Sequence, residues 1–278
     1  MPNYLLPVLE KYFSEILAIE GRLILSEAFL NERTNQIIKE DRQYKQLVSA
    51  ITAYRQLSLI NAEVNLFTPN YSYDITTDNV NNEIKDVISQ HCCFAVSQSY
   101  EVFESFLMEI LKEYLFYHQE LLSVFKFETN DVPLMRETIK AELKKNNKQG
   151  KNNKGLLLMI RKISPFFRQH EAKNVFDVHI TRWFDLVSMI RHNLVHNRQV
   201  ISLGLLKYIE ETKTNEMFNR HFKRKVIGND VCIYLEKNIT SDIINWLNCF
   251  AHFIFMSLSN EANLSLFVPQ YVPEPRIF

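Results

Sequence analysis

The sequence predicts an all-α fold, a helical bundle with an additional N-terminal helical region and one short β-hairpin. Three observations predict it. Glycine is scarce, five in 278 residues, which leaves few tight hairpin turns. Apolar residues recur at helical spacing over most of the chain. A hairpin signature occurs once, where Gly228, Asn229 and Asp230 separate two β-branched runs.

Leu5, Leu6, Leu9, Phe13, Ile16 and Leu17 mark a first helix over 4–20, with Gly21 as a possible interruption. Ile37, Ile38, Tyr44, Leu47, Val48, Ile51 and Tyr54 predict a second helix from Thr34 to about Ala62. The turn-rich stretch 67–79 reads as a linker, so residues 1–80 form an N-terminal helical region of unassigned role. A helical domain spans 81–260. Its first long helix carries Val96, Phe103, Phe106, Leu107, Ile110 and Tyr114 on one side. Pro133 suits the first turn of a helix running to about Lys145. The Lys/Asn-rich segment 144–154 reads as a solvated loop. "GLLLMIRKISP" is a short buried helix that stops at Pro165. A helix over 175–200 has Trp183, Leu186, Val187, Ile190 and Leu194 as its apolar stripe. The last helix follows the hairpin, with Thr240 or Ser241 as N-cap. A proline-rich tail, 261–278, ends the chain, and no internal repeat is present.

Positive and negative charges balance, 32 against 32, so a strongly basic nucleic-acid binder is not indicated and any RNA contact must be local. The four cysteines, Cys92, Cys93, Cys232 and Cys249, form no C-x-x-C pair. A chain of this size needs no staples, which points to a reduced, cytoplasmic protein. The N-terminus lacks the layout of a signal peptide. The most apolar run, 246–258, is too short to span a bilayer, so no membrane association is expected. Phosphate-cradling loops and nucleophile-elbow motifs are absent. No cofactor is implied.

One segment concentrates unusual chemistry. "RHNLVHN", 191–197, places Arg191, His192, Asn193, His196 and Asn197 around Leu194 and Val195. Cleaving RNA without a metal requires a group that moves the proton of the ribose 2′-hydroxyl or the leaving oxygen. Histidine titrates in the right range for that. It also requires a group that stabilises charge on the phosphate, which the planar fork of arginine suits. Arg191 and His196 are such a pair. Five residues along a continuous helix are about 140° and roughly 7.5 Å apart. They share a cleft only if the helix ends or bends, if the cleft is broad, or if two copies meet.

The run "LVSMIRHNLVHN" resembles the motif helix of the HEPN superfamily, whose nuclease members carry Arg, four to six residues, then His. The position after the arginine is usually Asn, Asp or His, and here it is His192. The flanks are similar too: an acid-bearing long helix, "SYEVFESFL", comes before, and a polar insert, a short hairpin and an apolar helix come after. The resemblance covers about 85–260. It implies a helical bundle, a homodimer that faces two motifs across one cleft, and metal-independent endoribonuclease activity. It further implies Arg191 and His196 as the catalytic pair, His192, Asn193 and Asn197 as supporting groups, and Glu104 as an auxiliary acid. Many members act as toxins or in phage defence, which implies an antitoxin or defence-system partner. Others have lost catalysis and bind RNA or nucleotides.

Other readings of the same residues stay open. Cations at a helix C-terminus favour the dipole and need no further role. His192 and His196 are four apart, a metal-ligand spacing, but no third ligand is evident nearby, and no metal is expected. "QHCC", 90–93, offers only awkward adjacent ligands. His170, His179 and His252 read as packing or surface residues, and the cysteines as small buried hydrophobes. Two basic clusters, around Lys144 and Lys145 and at Lys223, Arg224 and Lys225, serve RNA only if they flank the motif's cleft.

Overall fold

A computed structural model describes residues 2–40, 46–50, 54–57, 64–67, 73–127, 135–149, 154–227 and 229–266. Helices dominate, and the all-α class holds. The chain divides into two compact units, one formed by 1–20 with 92–278 and the other by 21–91. The boundary expected near residue 80 therefore moves into a helix, and the first twenty residues join the larger unit.

Helix α1 spans Leu6–Glu40 without a break at Gly21. Of the second helix expected over 34–62, residues 34–40 belong to α1, and the rest of the described part is strand β1, Gln46–Ala50, and strand β2, Tyr54–Leu57. Strand β3, Val64–Phe67, follows, and strand β4, Tyr73–Thr76, lies where a linker was expected. β2 pairs antiparallel with β3, and this pair is nested inside the antiparallel pair β1–β4. The residues read as a helical stripe are mainly β-branched and aromatic, and these suit a pleated strand equally well. Asn79 closes the turn after β4, its Oδ1 accepting from the Thr76 amide at 2.7 Å.

Helix α2, Val80–Tyr117, runs from the smaller unit into the larger. The larger unit continues with α3, Leu121–Val124; α4, Arg136–Gln149; α5, Lys154–Ile163; and α6, Pro165–His170. Then come α7, Ile180–His196; α8, Leu203–Thr212; and α9, Asn215–His221. The hairpin of β5, Lys223–Ile227, and β6, Asp230–Tyr234, precedes α10, Lys237–Glu261.

The core is aromatic. Phe103 of α2 lies 5.0 Å from Phe184 of α7 and 5.2 Å from Phe250 of α10, centroid to centroid. Tyr100 stacks on Phe184 at 5.0 Å, and such pairs add to simple area burial. The stripes expected on α2 and α7 are all buried. That on α1 is only partly so: Leu5, Leu9 and Ile16 are buried with Tyr12, whereas Leu17 is 70 % exposed.

Local signals account for several boundaries. Ser164 caps α6 by accepting from the Phe167 amide, with Pro165 in the first turn. Pro165 thus ends one helix and opens the next. α10 begins at Lys237 with Glu236 at the N-cap position. Thr240 is buried inside that helix, not capping it. Residues 144–149, expected in a loop, extend α4; 150–153, Pro133 and 267–278 lie outside the described residues. The four cysteines are free, three of them buried and Cys249 exposed. Among the described residues no helix is long and apolar enough to cross a membrane.

Candidate functional site

The motif occupies the C-terminal turns of α7, and His196 is its last helical residue. α7 is fixed at its start by polar contacts. His179 is the N-cap, its Nδ1 accepting from the Arg182 amide at 3.4 Å. Thr181 donates to buried Glu171 at 2.5 Å, and Glu171 receives a bidentate pair from Arg161 at 2.6 and 2.8 Å.

At its end α7 is fixed by Asn193. This side chain is fully buried. Its Nδ2 donates to the Met189 carbonyl at 2.8 Å, and its Oδ1 accepts from Asn197 Nδ2 at 3.0 Å and from the Ser202 amide at 3.1 Å. Ser202 in turn caps α8 by accepting from the Leu205 amide. One buried amide thus joins the end of one helix to the start of the next. Between them Arg198 and Gln199 both take left-handed backbone, φ 49° and 69°. That conformation costs non-glycine residues roughly 1–2 kcal/mol each, and the Asn193 bonds hold the turn. Asn193 and Asn197 were expected to support catalysis; their contacts here are structural. The i, i+4 pair of asparagines is the sequence signal that carried this.

Arg191 is partly exposed and donates through Nη2 to Glu101 Oε1 of α2 at 2.6 Å. Its Nε is buried without a hydrogen-bond partner. The carboxylate paired with the motif arginine is therefore that of Glu101. Glu104, the acid expected from the sequence, lies half-buried three residues further along α2. The resemblance implied Glu104, whereas Arg191 reaches the exposed side of α2, where Glu101 lies. His192 and His196 are both exposed, ring centroids 4.6 Å apart. Arg191, held against α2, and the histidine pair form two groups on the same helix end. Among the described residues no three His, Cys, Asp or Glu side chains converge as metal ligands.

Beyond α7 the chain is stitched to the basic hairpin. Ile233 donates to the Gln199 carbonyl at 2.8 Å, and Ile201 to that of Val231 at 2.9 Å. These bonds put 199–201 along β6, whose other edge carries β5. Lys223 of β5 is paired with Glu236 at 2.8 Å, Arg224 covers the Phe218 ring and Lys225 that of Tyr234. Lys144 and Lys145 lie on α4, exposed, with Lys145 paired to Glu142. Of the two basic clusters, the hairpin is the one tied directly to the motif's exit.

Compared with known protein families, characterised proteins and solved structures, the chain gives no significant match.

Proposed function

We propose that this chain is a metal-independent endoribonuclease of HEPN type, cytoplasmic and dimeric, with Arg191 and His196 as its catalytic pair. The observation that carries the reading is the anchoring of the motif turn. Buried Asn193 holds the helix end while His196 and His192 face solvent and Arg191 keeps a partly exposed guanidinium. Such fixing lowers the cost of placing groups at a reacting phosphate. In the proposed reaction His196 takes the proton from the ribose 2′-hydroxyl. The 2′-oxygen attacks phosphorus, the bond to the 5′-oxygen breaks as that oxygen takes up a proton from water, and Arg191 stabilises the phosphate oxygens. The products are a 2′,3′-cyclic phosphate and a 5′-hydroxyl. A role as a toxin or in phage defence, with a cognate partner protein, follows from the resemblance.

One observation favours a second reading. The Arg191–Glu101 pair occupies the guanidinium, which suits a non-catalytic RNA- or nucleotide-binding or regulatory protein on the same bundle. Cleavage of mixed cellular RNA by wild type, Arg191→Ala and His196→Ala in excess chelator, at matched circular dichroism, separates the two. Loss in both variants supports the nuclease; equal cleavage by all three removes it; RNA binding without cleavage by any moves the reading to the second. Activity lost to chelator and restored by zinc or manganese promotes a metal mechanism.

A further inference from the structure

Away from the motif, the turn after α3 and the outer side of α5 enclose a cavity of about 310 Å³. Its walls are apolar, from Val124, Phe125, Leu158 and Met159. Two ammonium groups, Lys126 and Lys162, stand among them. We propose that this cavity is a binding site for an anionic amphiphile, a small organic acid with an apolar body and a carboxylate head. The proposal is independent of the nuclease reading.

Four features converge on it. The volume falls at the lower end of the roughly 300–1,000 Å³ typical of small-molecule sites, and an apolar lining with few polar groups is their usual composition. Val124 and Leu158 are 57 % and 50 % exposed, so apolar wall is left open to solvent beside the buried Met159. Among the described residues no carboxylate lines the cavity, and neither Lys126 nor Lys162 makes an ion pair. Two unneutralised cations next to an apolar surface are complementary to an anion with an apolar tail, and disfavour a cation. Lys162 is also set over the Phe125 ring, 5.9 Å from its centroid, which keeps the ammonium beside the cavity's aromatic wall.

The backbone holds this shape. Lys126 adopts left-handed φ of 57°, with its amide on the Ser123 carbonyl at 3.1 Å and that of Phe127 on the Leu122 carbonyl at 3.0 Å. This tight turn buries Phe127 and leaves Phe125 at the cavity. A left-handed lysine is a strained choice where glycine would be relaxed, and it places a charged side chain where glycine would offer none. On the far side, α4 and α5 approach so closely that a Cβ on Gly155 would sit 2.9 Å from the Asn146 carbonyl oxygen. That contact fixes the wall carrying Leu158, Met159 and Lys162.

The test uses the full chain with ¹³C-labelled methionine methyls, titrated with decanoate, decanol and decylamine, and calorimetry in parallel. Decanoate is expected to bind at one site with Kd below about 1 mM and to shift the Met159 methyl. Decanol and decylamine should bind at least about tenfold more weakly. Lys126→Ala and Lys162→Ala should each weaken decanoate several-fold without changing the thermal midpoint, because both side chains are exposed. Leu158→Asp, at a half-exposed position, should abolish decanoate binding by placing like charge in the wall. Decanol binding as tightly as decanoate, an unmoved Met159 methyl, or lysine variants that bind like wild type would each overturn the proposal.

Discussion

Arg191 of α7 and Glu101 of α2 are joined at 2.6 Å, with side chains 27 % and 53 % exposed. A pair that accessible contributes little to stability, about 0–1 kcal/mol. Its consequence is for the proposed function: under that reading an RNA phosphate has to compete with Glu101 for the guanidinium. Glu101→Gln keeps shape and a hydrogen-bond acceptor but removes the charge. The thermal midpoint should change little while RNA affinity rises, and under the nuclease reading cleavage rises with it. Unchanged affinity in filter binding at low salt would show that Arg191 does not meet the phosphate.

Asn193 is expected to behave as a structural residue. Asn193→Ala leaves the Ser202 amide and the Asn197 side chain without their acceptor, and an orphaned buried group costs about 1–3 kcal/mol. The loss should appear in urea unfolding as a lower midpoint at unchanged slope. Asn193→Asp keeps the acceptor for Ser202 and Asn197 but loses the donor to Met189, so it should recover part of that stability. A catalytic supporting role predicts the reverse: full stability and lost activity in both variants.

Two histidines set a pH dependence of folding. Burial pushes His179 below the ordinary histidine range, reinforced by Arg182 and Arg161 against the opposing field of Glu171. Burial likewise lowers His221, helped by Arg220 and opposed by Asp242. A folded pKa below the unfolded value of about 6.5 means that the unfolded chain binds more protons there. The stability these groups contribute is complete above that value and is lost as pH falls below it. Protonated His179 also ceases to accept the Arg182 amide. The thermal midpoint should therefore drop from pH 7.5 to 5.5. His179→Asn, which caps a helix without titrating, should reduce that drop. An identical slope in the variant would assign the effect elsewhere.

The long amphipathic helices were legible because burial stamps a 3.6-residue period on them: every apolar position expected on α2 and α7 is buried. The β5–β6 hairpin was legible from Asn229 and Asp230 beside a glycine. What escaped has specific causes. Residues 46–57 hold β-branched and aromatic side chains whose spacing fits a helical stripe as well as a strand, and their pairing partners lie at 64–76. α1 leaves Leu17 of its expected stripe exposed while Leu5, Leu9 and Ile16 are buried, so apolarity alone drew that face too wide. At the site, the motif's position at a helix end was legible. The choice of Glu101 over Glu104 depends on how α7 packs against α2, a tertiary fact. Of Asn193's structural contacts, the Asn197 bond is legible in the i, i+4 spacing, whereas the bond from the Ser202 amide lies outside the motif and no spacing within it encodes that turn.

Whether Arg191 and His196 act within one chain or between two is testable by complementation. α7 is helical through His196, so the two side chains leave it about 140° apart. Arg191 is drawn to α2 by Glu101, while His196 pairs with His192 at the exposed end. A two-fold axis near that end would bring the histidine of one copy toward the arginine of the other, because an isologous interface repeats every contact. The proposed dimer therefore predicts that Arg191→Ala and His196→Ala proteins, each inactive alone, regain cleavage when mixed and allowed to exchange subunits. Each mixed dimer would hold one intact composite site and one site lacking both groups. With random exchange half the dimers are mixed, so activity should recover to about a quarter of wild type. Sites built within one chain predict no recovery, since neither subunit carries both groups. Light scattering at the same concentrations supplies the control: a chain that stays monomeric at micromolar concentration and shows no complementation would exclude the shared cleft.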